Sequence, residues 1–192
     1  MKTELFKFIE KYFILTDEEK IALSDFNLFQ SYKKGDVLLS EGDLSDTSYF
    51  IAKGCIRCYF VIDGEEKTTE FYTEGQSLNP LCCVTKQPST YYIDCIEDSI
   101  LSVGNPESGV DFLKDFPRFE TLCRLISEDL LAQNQSSFAN FKTSSPDQRY
   151  VHLMGTRPDL LQRVPQRQIA SYLGIKPESL SRIRKRLQNK GS

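Results

Sequence analysis

Between residues 29 and 103 the chain is cut at short intervals by glycines that follow a charged residue, and this punctuation constrains the fold more than any other feature. The turns read Lys34-Gly35-Asp36, Glu41-Gly42-Asp43, Lys53-Gly54, Asp63-Gly64 and Glu74-Gly75. Short runs rich in β-branched and aromatic residues stand between and after them, over 29–32, 37–40, 49–52, 55–62, 67–72, 90–95 and 100–103. Most are too short for helices, and Asp63-Gly64 between two of them is a hairpin signal. Many short strands at even turn spacing predict a jelly-roll-like sandwich or barrel.

Helical patterning flanks this region. Over residues 2–27, Leu5, Phe6, Phe8, Ile9, Tyr12 and Phe13 recur at helical spacing, and Thr16 followed by Asp17, Glu18 and Glu19 reads as an N-cap with an acidic first turn. After Asn105-Pro106 the pattern is helical again, interrupted by Pro117. A long helix is predicted from about residue 118 to 141, carrying Phe119, Leu122, Leu125, Ile126, Leu130 and Leu131. Its front half fits either a two-helix seam or a face packed on the barrel. Ser144-Ser145-Pro146 marks a hinge or a new helix start, and Arg157-Pro158 ends the short helix that follows. The fold class is therefore α+β.

The net charge of -3 conceals an asymmetry. From residue 157 onward there are nine basic residues and two acidic ones, Asp159 and Glu178, a net of +7; the first 156 residues carry -10. A basic tail on an acidic body is the footprint of a module that binds polyanions. Within that tail, residues 165–187 read as two short helices around a tight turn. Pro165 suits a first helical position. Ile169, Ala170 and Leu173 form one apolar face, Gly174 turns the chain and Ile175 plugs the turn. Pro177 starts the second helix, with Leu180, Ile183 and Leu187 inward. This is helix-turn-helix spacing. Glu178, Ser179, Ser181, Arg182, Lys185 and Arg186 fall on the outward face, with Arg167 on the first helix. Glu178 can accept from a cytosine amine, and Arg182 can pair with guanine from the same side of the helix.

Other function classes find little support. Hydrophobic residues make up 40% and charged residues 27% of 192, as in an ordinary globular chain. No apolar run reaches the ~18 residues of a membrane span, and the N-terminus lacks a signal-peptide pattern, so a cytoplasmic location is expected. The six cysteines are then expected as thiols. Cys55 and Cys58 form a C-x-x-C, but with His152 the only histidine the chain lacks the roughly four ligands of a zinc or cluster site. The cysteines therefore read as small buried hydrophobes in strands, and no metal or cofactor is expected. No nucleophile–base pairing or P-loop points to an enzyme.

The whole order resembles the Crp/Fnr family of regulators. The resemblance rests on the glycine-punctuated roll and on the tail Pro177-Glu178-Ser179-Leu180-Ser181-Arg182-Ile183. It implies N-terminal helices with a cyclic-nucleotide-binding-like β-roll, a long dimerisation helix over about 118–142, and a C-terminal helix-turn-helix. The corresponding domains would be 1–142 and 143–192. It implies base reading by Glu178 and Arg182, a contact from Ser179, and a two-fold homodimer on roughly palindromic double-stranded DNA with recognition helices about 34 Å apart. RNA polymerase and a small-molecule effector are further partners it allows; a membrane is not.

Two departures stand out. Where cyclic-nucleotide binders carry a Gly-Glu-Leu cassette and a later arginine, this chain reads Gly75-Gln76-Ser77-Leu78-Asn79-Pro80-Leu81, then Pro88-Ser89-Thr90. Pro80 removes a backbone donor, and neither the carboxylate nor the arginine fork is present. Lys86 is a poor substitute for that fork. Gly75, Gln76, Asn79, Leu81, Ser89 and Thr90 are thus candidates for a degenerate effector pocket. The alternative reading is a cyclic-nucleotide or other small-ligand module that signals through protein contacts. Second, family members continue into a hairpin wing, whereas this sequence stops at Lys190-Gly191-Ser192; no evident wing is expected.

Overall fold

The computed structural model describes residues 2–26, 28–104 and 106–189. Met1, Asn27, Asn105, Lys190, Gly191 and Ser192, which figure in the boundaries and charge count above, lie outside it. In chain order the elements are α1 (Lys2–Ile9), α2 (Asp17–Phe26), β1 (Leu28–Tyr32), β2 (Val37–Leu39), β3 (Ser48–Lys53), β4 (Ile56–Ile62), β5 (Glu65–Tyr72), β6 (Ser77–Leu78), α3 (Leu81–Thr85), β7 (Tyr92–Cys95), β8 (Ser99–Gly104), α4 (Pro106–Asp115), α5 (Arg118–Thr143), α6 (Pro146–Thr156), α7 (Pro158–Arg163), α8 (Gln166–Tyr172) and α9 (Pro177–Gln188). The strands form two four-stranded sheets, ordered β1-β8-β3-β6 and β2-β7-β4-β5. This is the roll that the turn spacing predicted. The chain divides into two compact units, Met1–Cys58 with Phe71–Leu130, and Tyr59–Glu70 with Leu131–Ser192.

In the first unit, one turn design recurs three times. At Lys33–Asp36, Ser40–Asp43 and Thr73–Gln76 the fourth residue donates its backbone N–H to the first carbonyl, over 3.0, 3.1 and 3.1 Å. Its side-chain oxygen accepts in return from the first N–H, over 2.7, 3.0 and 2.8 Å. The third residue is glycine each time, at φ between 77° and 90°, as a type II turn requires.

Strand β3 is buried on both faces, and its alternation explains how. Tyr49 and Ile51 point into the roll with Ile56, Cys58, Leu78, Ile93, Cys95 and Leu101. Phe50 and Ala52 point the other way, into a cluster with Leu5, Ile9, Leu23, Phe119 and Leu122. The front half of α5 is thus a face packed on the roll, the second of the two alternatives its sequence left open. Burial pushes the Tyr49 hydroxyl up to about 12, and it donates to the Leu38 carbonyl at 3.2 Å. Arg57 and Asp94, on β4 and β7, form a two-pronged ion pair at 3.0 and 2.7 Å with the Arg57 side chain almost fully buried.

Thr16 starts a second helix within residues 2–27, where its N-cap signal placed it. Its hydroxyl accepts from Glu19 N, and the Glu19 carboxylate accepts from Thr16 N, a complete capping box. Arg157-Pro158 ends α6 as expected, with Arg157 as its C-cap, and Pro158 then sits in the first turn of a further helix, α7, where its missing N–H costs nothing. Residues 77–85 contain β6 and α3, which a short apolar run does not reveal. Nor are all the cysteines buried strand residues: Cys82 and Cys83 lie on α3, and Cys123 is exposed on α5.

Gly54 tests the roll's tolerance. Its φ is 108°, and a Cβ there would lie 2.2 Å from Ser99 Oγ and 2.7 Å from Ser99 Cα. Gly54→Ala is expected to destabilise the protein by about 3 kcal/mol in denaturant unfolding, since the obstacle includes backbone. A loss within ~0.5 kcal/mol, the range of an inert surface change, would contradict this close approach.

Candidate nucleic-acid interface

The second unit holds the helix-turn-helix. Ala170 and Ile169 on α8, Leu173 at its end, and Leu180 and Ile183 on α9 are all buried, with Ala170 fully so. The small side chain lets the two helices approach closely. Between them Gly174 at φ 67° turns the chain, and Ile175 N donates back to the Ala170 carbonyl at 3.0 Å. Tyr150 and Leu153 on α6, with Leu160 and Val164, complete the buried set. Pro165 caps α8 from one position before its first residue, and Pro177 opens α9 as expected.

Arg149 organises this unit, and nothing in the local sequence singled it out. Its Nε donates to the Leu173 carbonyl at 3.1 Å, and Nη1 donates to the carbonyls of Ser144 and Phe141 at 2.9 and 3.3 Å. The guanidinium also lies 4.5 Å from the Phe141 ring centre. One fork therefore ties the end of α5, the start of α6 and the helix-turn-helix turn together. Beside it, Ser145 and Gln148 form the capping box that starts α6 at the predicted boundary.

Most of the predicted base-reading residues are on the surface. Glu178, Ser181, Arg182, Lys185, Arg186 and Arg167 are exposed, and Ser179 is half-buried. Arg182 Nη2 donates to Ser179 Oγ at 3.3 Å, which draws these two side chains together. Arg186 is instead paired with Asp147 at the start of α6, so the structure gives it a partner within the fold. Arg167 and Lys176 face Glu65 at the tip of the β4–β5 hairpin. With Lys67, the largest influence, they hold the Glu65 carboxyl below its ordinary range.

That hairpin tip docks on α8 through a contact the sequence did not suggest. Ser171 Oγ accepts from Thr68 N and donates to the Glu66 carbonyl, both at 2.9 Å. Tyr172 reaches the Glu70 carboxylate at 3.4 Å, and burial, reinforced by Glu70, keeps its hydroxyl protonated far above the ordinary range. The contact joins residues about a hundred positions apart, so no local pattern could signal it.

The candidate effector residues are mostly engaged in the roll's own backbone. Gly75 and Gln76 form the third of the repeated turns, with the Gln76 amide oxygen bound to Thr73. Ser89 is buried, and its hydroxyl donates to the Tyr91 carbonyl at 2.7 Å. Asn79, Leu81 and Thr90 are exposed, and Leu81 N donates to the Tyr91 hydroxyl at 2.9 Å. Among the described residues, no three His, Cys, Asp or Glu side chains converge to hold a metal, and no helix is long and apolar enough to cross a membrane.

Comparison with known proteins agrees with this architecture. The family model described as the cyclic nucleotide-binding domain matches residues 29–114. No protein of curated function matches the chain by sequence. Among solved structures, the fold resembles CLP, a c-di-GMP-responsive global regulator of Xanthomonas campestris, with 15% identity, coverage of 89% of this chain and 91% of that one, and a TM-score of 0.69. It also resembles a CooA variant from Carboxydothermus hydrogenoformans, with 15% identity, 88% and 79% coverage and a TM-score of 0.67. The Thermus thermophilus catabolite activator protein gives 20% identity, 95% and 88% coverage and a TM-score of 0.54. These neighbours of the cyclic nucleotide-binding domain are Crp/Fnr-family regulators.

Replacing the fork at Arg149 tests the helix-turn-helix frame. Arg149→Met keeps the aliphatic stem and removes all three carbonyl contacts, and is expected to cost about 2–4 kcal/mol. Arg149→Lys is expected to recover less than half, because an ammonium cannot reproduce the fork. Amide exchange across 165–188 reads the loss; unchanged protection there in both variants would show that Arg149 does not hold the unit.

Proposed function

We propose that this protein is a Crp/Fnr-like transcription regulator that binds double-stranded DNA as a homodimer, with α9 entering the major groove. The observation that carries the reading is the face of α9. Glu178, Ser181, Arg182 and Lys185 are exposed on a helix whose opposite side is locked into a packed core, within a segment of net charge +7. A rigid helix with exposed donors and a local positive field suits both phosphate attraction and base reading. In this reading Glu178 and Arg182 read base edges, Ser179 and Ser181 make smaller contacts, and Lys185 and Arg167 bind phosphates. Arg186 joins them on leaving Asp147.

Support for the dimer comes from α5. Leu131 and Phe138, seven residues apart on its second half, are exposed at 59% and 65%. Two such apolar side chains one heptad apart suit a partner helix. The protein then works in the cytoplasm, catalyses no reaction and acts on transcription through its contacts with DNA and RNA polymerase. The β-roll is its sensor, and the cassette's occupied turn at Gly75 and Gln76 favours an effector other than a cyclic nucleotide.

Selection of bound duplexes from a random pool is expected to return a roughly palindromic site. Binding to that site should weaken linearly on a log–log salt plot. Arg182→Ala is expected to cost about 1–3 kcal/mol and to relax preference at one position of each half-site, whereas Lys185→Ala should weaken all duplexes alike. Equal loss on all sequences in Arg182→Ala would remove its base-reading role, and no retained duplex at low salt would remove the reading altogether.

A further inference from the structure

The short helix α3 carries two consecutive cysteines at the rim of the roll, and neither is used by the DNA-binding reading. Cys82 is buried at 2% exposure, and Cys83 is half-buried. Neighbouring positions on a helix point about 100° apart, yet these two thiols converge. Cys82 Sγ and Cys83 Sγ both donate to the Ser45 carbonyl, at 3.4 and 3.2 Å, and Cys83 Sγ also reaches the Thr47 carbonyl at 3.5 Å. On either side, Leu81 and Val84 are exposed at 57% and 75%.

This pair is poorly suited to a disulfide. Consecutive Cα atoms across a trans peptide are about 3.8 Å apart, below the usual span of about 4.4–6.8 Å between bridged cysteines, and the described residues contain no cis peptide. A larger soft atom with longer bonds bridges the two sulfurs with less strain than a direct S–S bond. Thiol sulfur is a soft ligand and selects soft partners.

We propose that Cys82 and Cys83 form a dithiol site that captures a trivalent, thiophilic arsenic species. Each thiol condenses with one oxygen-bearing position on arsenic. With arsenous acid, two S–H and two As–OH groups become two S–As bonds and two molecules of water. Arsenic stays trivalent and keeps its third position for a hydroxyl, so two protein sulfurs suffice and no oxidant or reductant is needed. The half-buried Cys83 forms the first bond, and Cys82 closes the chelate as α3 shifts. Burial raises the Cys83 thiol above its ordinary range, which resists adventitious alkylation but leaves the condensation open, because the thiol proton leaves as water. Closure draws Cys82 away from its packing beside Tyr49 and Ile51, so capture is felt inside the sensor roll.

The test uses the full-length reduced protein and phenylarsine oxide, read by native mass spectrometry and thiol titration. One phenylarsenic group per chain, with loss of two titratable thiols, is expected. It should survive an excess of a monothiol and be stripped by a dithiol such as 2,3-dimercaptopropanol. Cys83→Ser, whose hydroxyl can still donate to Ser45, should cut the monothiol-resistant adduct at least tenfold. Cys58→Ser and Cys123→Ser should leave it unchanged. An adduct undiminished in Cys83→Ser, or lost in Cys58→Ser, would assign capture elsewhere, and the absence of a monothiol-resistant adduct in the unaltered protein would overturn the site. None of these readouts depends on DNA binding.

Discussion

The helix-turn-helix depends on one buried-edge interaction, the grip of Arg149 on three backbone carbonyls. Helix ends leave carbonyls without intrahelical partners, and here α5, α8 and their flanking turns end close together. A single guanidinium supplies donors to Phe141, Ser144 and Leu173 and stacks on the Phe141 ring. Without it those carbonyls, two of them in part-buried contacts, would depend on water. Because it ties the last turn of α5 to the turn before α9, the orientation of α9 is fixed from its back.

The first unit solves a different problem, that of closing a small roll with very short strands. The three repeated turns at Lys33–Asp36, Ser40–Asp43 and Thr73–Gln76 each satisfy the first residue's N–H as well as its carbonyl. Turns that satisfy their own polar groups let strands of two to eight residues reverse without leaving buried orphans. Strand β3 then serves as the shared wall, with Tyr49 and Ile51 in the roll and Phe50 and Ala52 under the helices.

The sequence was most informative where the physics is local. Gly35, Gly42 and Asp63-Gly64 announced their turns, Thr16 and Ser145 announced their helix starts, and Ala170 with Gly174 announced the helix-turn-helix. It was least informative where distant residues meet. Arg149 is one arginine among many until the carbonyls it binds are placed around it. Ser171 looks like a solvent-facing residue of α8 until the Glu66–Thr68 tip arrives. Pro158 marked where α6 stops but not that α7 begins there, because proline both ends helices and starts them, and only the following turn decides which. In the candidate site, the exposure of Glu178 and Arg182 followed from helical spacing, but the pairing of Arg186 with Asp147 did not. In the roll, Gln76 was marked by its position in the cassette, whereas its actual work is to hold a turn.

Contact between the front of α9 and base edges is the claim on which the functional account stands. Site-specific incorporation of a photocrosslinking residue measures it directly, at positions 178 and 182 on α9 and, for comparison, at exposed His152 on α6. With a duplex selected by the protein itself, crosslinks from 178 and 182 should map to bases within each half-site, and position 152 should give none. Crosslinks from 152 with none from 178 or 182 would contradict the account, because DNA would then lie against another surface of the protein.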